Sequence, residues 1–390
     1  MEYTAVFGGT FNPFHIGHYE MLGALCKCDS IKKVLVVPDR IPPHKECDFL
    51  ASDGERAEMC RLACTDFAKA ELCTLELERD GRSYTSDTIK DLKRLYPDDK
   101  FAIVCGGDML ATLDTWHNWR YIIENVSIFV FERGDSPDFQ KHLTRMRGFG
   151  ADITVFNDPI TVISSTLLRK RPIRTMLNES VFKFILEKGV YMDKKIPEYA
   201  EYKGLLKSRL KEKRYYHSLA VADEAYRLAE KYGADSGKAY LAGLLHDITK
   251  NSDADEHLNI FNTFGIILSD IEKGSEKLWH AISGAAYIKY ILNIDDAEIY
   301  DAIRYHTTAR GNISLLSKII YLADFTSADR DYEDVDVIRA LVDKSLDDAY
   351  FYALSYTVKE LVERGNAIHP DTIAAYNETA LKKSDEKNGK

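Results

Sequence analysis

Two histidines, His15 and His18, follow the first apolar run of the chain in the stretch GGTFNPFHIGH, residues 8–18. They stand three residues apart at the predicted start of a helix, so their imidazoles share one face. Gly8 and Gly9 precede them and allow a sharp turn and a close approach of the backbone to a ligand. Because the N–H groups at a helix N-terminus bind anions, the stretch predicts a polyphosphate site.

A second candidate for phosphate binding lies near the end of the first half. Ser165 and Arg169 are four residues apart, on one face of a helix predicted to start near Ser164. A helix N-terminus with an arginine one turn further along can hold the β- and γ-phosphates of a nucleotide. The alternative is that Arg169 is a solvated charge in the basic run RKRPIR.

The second half of the chain places histidines and aspartates in otherwise apolar helical segments, where an unpaired polar side chain is costly. As metal ligands these side chains would be satisfied, and imidazole with carboxylate suits Fe, Mn, Zn or Co. The candidate ligands are His217, His246, Asp247, His280, His306 and Asp324. A single histidine is more often structural, and this interpretation is kept for His117, His142, His257 and His369.

The elements that carry these residues differ between the two halves. Residues 1–192 alternate strand-like runs with helical patterns, which predicts an α/β domain with a Rossmann-like parallel sheet. The candidate strands are residues 4–7, 34–37, 72–77, 101–105, 127–131 and 153–156. Beyond Tyr199 only amphipathic helices are predicted. We therefore expect an α/β domain over 1–192, a linker over 193–203, an all-α domain over 204–378 and a disordered tail over 379–390.

Composition limits the class of protein. The chain has 390 residues, 45% of them hydrophobic, and a net charge of −10, which argues against a general nucleic-acid binder. No apolar run of 18 residues and no signal pattern occurs, so we expect a cytoplasmic protein without a membrane partner. The seven cysteines form no CxxC pair and are interpreted as reduced thiols. Self-association into a homo-oligomer is left open.

Several motifs of the first half occur in the order of one family. GGTFNPFHIGH is followed by PDRIPPHK at 38–45, GRSYTSDT at 81–88, CGGDMLATLDTWHNW at 105–119 and ISSTLLR at 163–169. With these motifs, the first half resembles the nucleotidylyltransferase superfamily and, within it, bacterial nicotinate mononucleotide adenylyltransferase. The turn FERG, residues 131–134, departs from the family pattern and keeps only its arginine.

The resemblance implies transfer of AMP from ATP to nicotinate mononucleotide, which gives deamido-NAD and pyrophosphate, with Mg²⁺ bound to ATP. It implies catalytic roles for His15, His18 and Arg169. The residues it assigns to ATP or the acceptor are Gly8, Gly9, Thr10, Phe11, His44, Lys45, Thr85, Asp108, Trp116, Arg133, Ser164 and Ser165. Alternatives stay open: Trp116 as a core residue, Asp108 as a loop cap, and the amide mononucleotide or a pantetheine phosphate as acceptor.

The second half resembles the HD-domain superfamily of metal phosphohydrolases, and its bacterial family that cleaves diadenosine tetraphosphate symmetrically. The resemblance rests on HSLAVADEAYRLAEKYG, AGLLHDITK, LWHAISGA, AIRYHTTARGNISLLSKIIYLAD and AIHPDTIAAYN. It implies one metal held by His217, His246, Asp247 and Asp324. It also implies that Asp247, as a catalytic residue, bridges to a second metal held by His280 and His306. Iron is the favoured metal, with Mn, Zn or Co as alternatives, and the products would be two ADP.

One segment departs from the second family. In ADFTSADR, residues 323–330, Ser327 and Ala328 replace the acidic residue and proline that relatives usually carry, while Arg330 remains as a substrate contact. The sequence as a whole therefore predicts a bifunctional enzyme. Two alternatives stay open for the second half: a different nucleotide phosphate as substrate, or a non-catalytic nucleotide sensor that regulates the transferase.

Overall fold

The computed structural model describes residues 2–40, 51–82, 84–132, 138–192 and 199–388. The chain divides into two compact units, Met1–Tyr191 and Met192–Lys390.

The first unit is built on a parallel sheet of six strands in the order β3-β2-β1-β4-β5-β6. The strands are β1 Tyr3–Gly9, β2 Ile31–Pro38, β3 Ala70–Leu72, β4 Lys100–Gly106, β5 Ser127–Phe131 and β6 Ile153–Phe156. Their apolar runs are buried, as expected for parallel strands covered by helices on both faces. The predicted Rossmann-like α/β architecture is confirmed.

The described residues of this unit form eight helices: α1 Ile16–Lys27, α2 Asp53–Cys64, α3 Thr85–Leu95, α4 Gly107–Thr112, α5 Trp119–Asn125, α6 Phe139–Gly148, α7 Ser165–Lys170 and α8 Glu179–Lys188. Short 3₁₀ turns occur at Leu113–Thr115 and Arg174–Met176. Strand β1 lies between β2 and β4, so the strand order reverses here. The segments that follow β1 and β4 therefore flank the crevice where open α/β sheets bind ligands.

One strand is shorter than the sequence predicts. The observed strand, Ala70–Leu72, shares only Leu72 with the expected strand over 72–77, and the last ladder bond runs from the Cys73 N–H to the Val36 carbonyl. The chain then turns, with the Leu77 N–H donating to the Thr74 carbonyl. Cys73 and Leu75 still pack against the core, which explains why the apolar pattern resembled a strand.

The second unit is helical, which confirms the all-α prediction. Its helices are α9 Ala200–Arg209, α10 Glu212–Tyr232, α11 Ser236–Leu245, α12 Ala254–Thr263, α13 Asp270–Lys273, α14 Trp279–Ala286, α15 Ala297–Arg304, α16 Leu315–Thr326, α17 Val335–Val342, α18 Leu346–Glu363 and α19 Pro370–Asn388. A 3₁₀ turn, Glu276–Leu278, leads into α14, and a π-helical turn, Tyr287–Ile291, follows it.

Helices α10, α11 and α16 form the centre of this unit and bury apolar residues such as Leu219, Leu244 and Ile320 completely. Gly243 permits the close packing of α10 against α11, because a Cβ at this position would lie 2.9 Å from the Cα of Ala222. Substitution of Gly243 would therefore separate the two helices that carry the first candidate ligands.

Two predicted boundaries need correction. Of the predicted linker, residues 193–198 lie outside the described residues, while Ala200 already begins α9. Burial of Leu206 and stacking of Tyr199 on Tyr240, with ring centroids 5.7 Å apart, attach this segment to its unit.

The tail predicted to be disordered from residue 379 continues α19 to Asn388. Lys382 pairs with Glu378 at 2.6 Å, and the Lys383 ammonium lies 4.9 Å from the Phe351 ring centroid. These contacts hold a charged segment in the helix although its composition resembles a disordered tail. Among the described residues, no helix combines the length and the apolar character that a membrane span requires.

Candidate active sites

The first candidate site begins at the two histidines after β1. His15 precedes α1 and His18 lies in its first turn, and their rings stack with centroids 3.6 Å apart. His18 also contacts the ring of Phe11 edge-to-face, at 5.0 Å. The His15 backbone N–H donates to Nδ1 of His18 at 3.3 Å. Since Nδ1 is the acceptor, a neutral His18 ring carries its proton on Nε2.

The loop that bears these histidines is held by a buried arginine. Arg56 of α2 is 1% exposed and donates to the Thr10 carbonyl at 2.9 Å. Its guanidinium also pairs with Asp39 and Asp53, and the Thr10 hydroxyl donates to Asp39 at 3.0 Å. Arg56 and Asp39 are not predicted from the sequence, because an arginine among charged residues of an amphipathic helix looks like a solvated side chain.

Helix α7 lies against the same loop. Arg169 donates to the Asn12 carbonyl at 3.1 Å, so its guanidinium lies beside the segment between β1 and α1. A Cβ on Gly17 would lie 2.5 Å from the Thr161 carbonyl oxygen, so glycine is required for this approach. Ser164 is the N-cap residue of α7 and Ser165 is its first residue. The structure thus brings both predicted phosphate-binding segments together at one edge of the sheet.

The candidate acceptor residues follow other strands and loops. Thr85 begins α3, Asp108 lies exposed in the first turn of α4 after β4, and Trp116 is half-buried against the core. The rings of Tyr84 and His117 lie 4.4 Å apart in the same region, although the sequence interpretation treated His117 as structural.

Three predicted residues, His44, Lys45 and Arg133, lie outside the described residues. Their placement relative to Thr85, Asp108 and Trp116 therefore stays a prediction. Gly8, Gly9, Thr10 and Phe11 occupy the end of β1 and the start of the loop that carries His15.

The second candidate site is a buried cluster around Asp247 in the helical unit. The Asp247 Oδ2 atom lies 3.4 Å from Nε2 of His246 and 4.0 Å from Nε2 of His217. Its Oδ1 atom lies 3.2 Å from Nε2 of His280 and 3.7 Å from Nε2 of His306. The two carboxylate oxygens therefore face two different pairs of histidines.

Asp324 completes the first of these groups. Its Oδ1 atom lies 2.9 Å from Nε2 of His217. The structure thus brings together all six residues that the sequence proposes as metal ligands, from α10, α14, α16 and the turns that follow α11 and α15. His257 and His369 are not part of the cluster: His257 bonds Ser283 at 2.8 Å, and His369 lies near Glu272.

Hydrogen bonds to the opposite ring nitrogen orient three of the histidines. Nδ1 of His246 bonds the Gly243 carbonyl and Nδ1 of His306 bonds the Ile303 carbonyl, each at 2.7 Å. Nδ1 of His217 bonds the Asp329 carboxylate at 2.9 Å. In each ring Nε2 is therefore the nitrogen available to a metal ion.

Three buried ligand atoms at the centre of the cluster are not satisfied by hydrogen bonds to one another, and a bound metal ion would satisfy them. Within the part of the chain that the structure describes, Nε2 of His217, Nε2 of His246 and Oδ1 of Asp247 make no well-directed hydrogen bond. Uncompensated burial of such groups is costly, and a divalent cation would remove that cost. Imidazole nitrogen with carboxylate oxygen is the donor set of Fe, Mn, Zn or Co.

The charges of three members of the cluster agree with this interpretation. Burial would raise the pKa of the Asp247 carboxyl, but His246 and its other neighbours bring it well below its usual range. Burial also opposes ionisation of Asp324, whose pKa the nearby Arg330 nevertheless brings well below its usual range. Burial lowers the pKa of His280 well below that of free histidine. The carboxylates are therefore charged and His280 is neutral, which are the forms that bind metals.

Among the residues that the structure describes, three basic side chains surround the cluster. Arg214 donates to Oδ2 of Asp247 at 2.7 Å, and Nζ of Lys250 lies 2.9 Å from Nε2 of His280. Arg330 pairs with the Asp324 carboxylate. Only Arg330 was singled out from the sequence. Arg214 and Lys250 could also have been found from the sequence. Arg214 lies one helical turn before His217 and Lys250 lies one turn after Asp247, so each is expected near the same site as its neighbouring ligand.

Comparisons with known proteins match the two units separately. The family model described as Cytidylyltransferase-like matches residues 6–171, and the HD domain model matches residues 214–329. A Halalkalibacterium halodurans protein named "Probable nicotinate-nucleotide adenylyltransferase" is 36% identical over 201 residues, 49% of this chain and 92% of its own. A second protein of that organism, named "Bis(5'-nucleosyl)-tetraphosphatase, symmetrical", is 38% identical over 177 residues, 45% of this chain and 94% of its own.

A further relative spans both units. The Mycoplasma genitalium protein named "Probable nicotinate-nucleotide adenylyltransferase/Ap4A hydrolase" is 27% identical over 364 residues, which is 92% of this chain and 98% of its own. The order of the two halves is therefore shared with a chain of similar extent. This chain belongs to the nicotinate-nucleotide adenylyltransferase family through its first half and to the symmetrical bis(5'-nucleosyl)-tetraphosphatase family of HD-domain proteins through its second.

Proposed function

We propose that the chain is a bifunctional enzyme. Its first unit transfers AMP from ATP to nicotinate mononucleotide, which gives deamido-NAD and pyrophosphate. Its second unit hydrolyses diadenosine tetraphosphate to two ADP at a binuclear metal site. The relative that spans both units supports this pairing, because its name joins the same two activities in one chain.

In the transferase reaction, a phosphate oxygen of the mononucleotide attacks the α-phosphorus of ATP. A P–O bond forms there while the bond to the oxygen bridging the α- and β-phosphates breaks, and pyrophosphate leaves. Since no covalent enzyme intermediate is needed, the protein acts by positioning and charge stabilisation. Nε2–H of His18 would donate to the transferred phosphate, beside His15, and Arg169 would hold the leaving phosphates.

The other residues of this site keep the roles that the resemblance implies. Thr85 and Trp116, with His44 and Lys45, would bind the acceptor, and Asp108 would contact a ribose. Gly8, Gly9, Thr10 and Phe11 would contact ATP, as would Ser164, Ser165 and Arg133. Mg²⁺ would enter with ATP.

In the hydrolase reaction, water attacks the phosphate chain and the central P–O–P bridge breaks, so that each product is ADP. Two divalent cations, when bound, supply Lewis-acid stabilisation of the phosphate charge. His217, His246, Asp247 and Asp324 would hold one cation, and Asp247 would be shared with the second, held by His280 and His306. Iron is our first choice of metal, with Mn, Zn or Co as alternatives.

The residues around the metal ligands would bind the polyphosphate. Arg214, Lys250 and Arg330 surround the cluster with positive charge, and a substrate with four phosphates requires such compensation. The six described cysteines are free thiols, which supports the proposal of a cytoplasmic enzyme.

The observation that carries the hydrolase proposal is the division of the Asp247 carboxylate between two histidine pairs. A substrate panel tests both activities with the full chain. For the first unit, rates with nicotinate mononucleotide, nicotinamide mononucleotide and pantetheine phosphate are compared with ATP as donor. For the second, Mn²⁺-loaded protein is offered diadenosine tetraphosphate or a nucleoside monophosphate. A preference for another acceptor, or for the monophosphate, would contradict the corresponding half of the proposal.

A further inference from the structure

We propose that Asp329 is a positioning residue for the metal site, which orients His217 through its Nδ1 atom and makes its Nε2 atom a stronger ligand. The inference deepens the proposed hydrolase function and rests on it. Asp329 is not among the six residues that the sequence proposes as ligands.

The geometry places Asp329 on the far side of the His217 ring. Its Oδ2 atom lies 2.9 Å from Nδ1 of His217, whereas Nε2 of the same ring lies 2.9 Å from Oδ1 of Asp324. The imidazole therefore stands between the two carboxylates, one on each nitrogen. Since a carboxylate on Nδ1 fixes the tautomer and raises the basicity of Nε2, the pair has the arrangement of a histidine ligand with its outer partner.

The other two oriented ligands have weaker anchors. His246 and His306 bond backbone carbonyls, which carry no net charge. Among the described residues, His217 is the ligand whose Nδ1 meets a carboxylate. Of these three ligands, His217 should therefore depend most strongly on its partner for its affinity for a cation. That partner is the side chain of Asp329, which can be replaced by mutation, whereas a backbone carbonyl cannot.

The loop that carries Asp329 is itself held in place. Ser327, which is fully buried, donates from its hydroxyl to Oδ1 of Asp329 at 2.7 Å. Arg339, 5% exposed, donates to the Ser327 carbonyl at 2.7 Å and to the Arg330 carbonyl at 2.9 Å. The segment ADFTSADR, which departs from the family pattern, thus has a role in this account. Its Ser327 orients the Asp329 carboxylate, and that carboxylate orients His217.

Binding of Mn²⁺ alone to the full, metal-stripped chain tests the inference. The variants are Asp329→Asn, which keeps the shape and removes the charge, and Ser327→Ala, which leaves Asp329 in place. Asp331→Asn, the same substitution at an exposed position two residues further on, is the matched control. Affinity and stoichiometry are read by titration calorimetry, and the fold of each metal-free variant by circular dichroism.

We expect Asp329→Asn to weaken Mn²⁺ binding about 10- to 100-fold, as is typical when the outer partner of a histidine ligand is lost. Ser327→Ala should weaken it about three-fold, the effect of one hydrogen bond, and it also serves if Asp329→Asn does not fold. Added Mn²⁺ should restore much of the activity that Asp329→Asn loses at limiting Mn²⁺, which a general loss of structure would not permit.

Two results would overturn this inference and leave the proposed hydrolase standing. One is an unchanged Mn²⁺ affinity in both variants. The other is the loss of a whole Mn²⁺ equivalent in Asp329→Asn, which would make Asp329 a ligand. A wild-type chain that binds no Mn²⁺, Fe²⁺, Zn²⁺ or Co²⁺ would instead overturn the proposed hydrolase, and this inference with it. The two failures are therefore distinguishable.

Discussion

The Oδ1 atom of Asp247 lies 3.2 Å from Nε2 of His280, although Asp247 follows α11 and His280 belongs to α14. Its Oδ2 atom faces the other way, towards the histidine that precedes Asp247 in sequence. One side chain therefore joins two groups of nitrogen atoms within a buried cluster. This arrangement would allow the carboxylate to be shared by two cations.

Replacement of this carboxylate should remove both metal and hydrolysis. We expect Asp247→Ala to lower the rate of ADP release from diadenosine tetraphosphate by more than about 100-fold, because even residues that only orient ligands contribute about 10- to 100-fold. Metal content after dialysis against Mn²⁺ and chromatographic assay of ADP check this. Deamido-NAD synthesis by the same preparation is the control and should be unchanged. Retained turnover would refute the bridging role.

Loss of the His18 imidazole should affect only the transferase. The ring donates to the phosphate in our account, and removal of one such donor costs about 100- to 1000-fold in kcat. His18→Ala should therefore almost abolish pyrophosphate release from ATP and nicotinate mononucleotide. Hydrolysis of diadenosine tetraphosphate by the variant shows that the chain is folded. A near-normal rate of synthesis would disprove the assignment.

The buried Arg56 should be essential for the stability of the first unit. Arg56→Ala would remove the guanidinium that pairs with Asp39, which is 15% exposed, and would release the Thr10 carbonyl. We expect the free energy of unfolding of this unit to fall by about 2–3 kcal/mol. This is slightly less than the loss expected when one partner of a fully buried ion pair is removed, because Asp53, the other partner of Arg56, is exposed. Urea unfolding checks this, with Arg61→Ala on the exposed face of α2 as control. Equal shifts in both variants would contradict it.

The carboxyl of Asp223 in α10 should make the second unit less stable at alkaline pH. Burial raises the pKa of Asp223 to about 8, with a smaller opposing effect of Lys203. A group with a raised folded-state pKa stabilises the fold below its unfolded pKa, and this stability is lost as the pH rises through the folded pKa. For Asp223 the loss falls between about pH 4 and pH 8.

Asp223→Asn removes this ionisation. Because the side chain keeps some contact with solvent, we expect the variant to gain about 2 kcal/mol over the wild type at pH 8.5 and almost nothing at pH 4.5. Unfolding of the metal-free chain by urea at the two pH values measures the difference, with Asp331→Asn as control. A gain that does not depend on pH would show that the Asp223 carboxyl does not titrate in this range.

Much of the fold could be predicted because its signals are local. The apolar runs of β1, β2, β4 and β5 and the glycine turn after β1 are short patterns, and so is the apolar helix that ends just before His246. The strand near Leu72 was predicted too far along the chain because Cys73 and Leu75 pack against the core from a turn. The helix beyond residue 379 was missed because its contacts, such as Lys383 with Phe351, come from distant residues.

The candidate sites divide in the same way. His15, His18 and the pair His246-Asp247 lie in compact motifs, so their types and spacing were sufficient to single them out as candidates. Asp329 and Arg56 act through other residues, and an acidic or basic side chain in a polar segment gives no sign of its partner. Only the fold places Asp329 behind the His217 ring and Arg56 beneath the Thr10 carbonyl.

The most direct test of the central claim is the identity of the products that the Mn²⁺- or Fe²⁺-loaded chain makes from diadenosine tetraphosphate. The hydrolysis is run in water enriched in ¹⁸O, and the nucleotides are resolved by chromatography and mass spectrometry. The account predicts ADP as the only product, half of it carrying one ¹⁸O atom, and no product from Asp247→Ala. AMP with ATP, or no turnover with either metal, would contradict it.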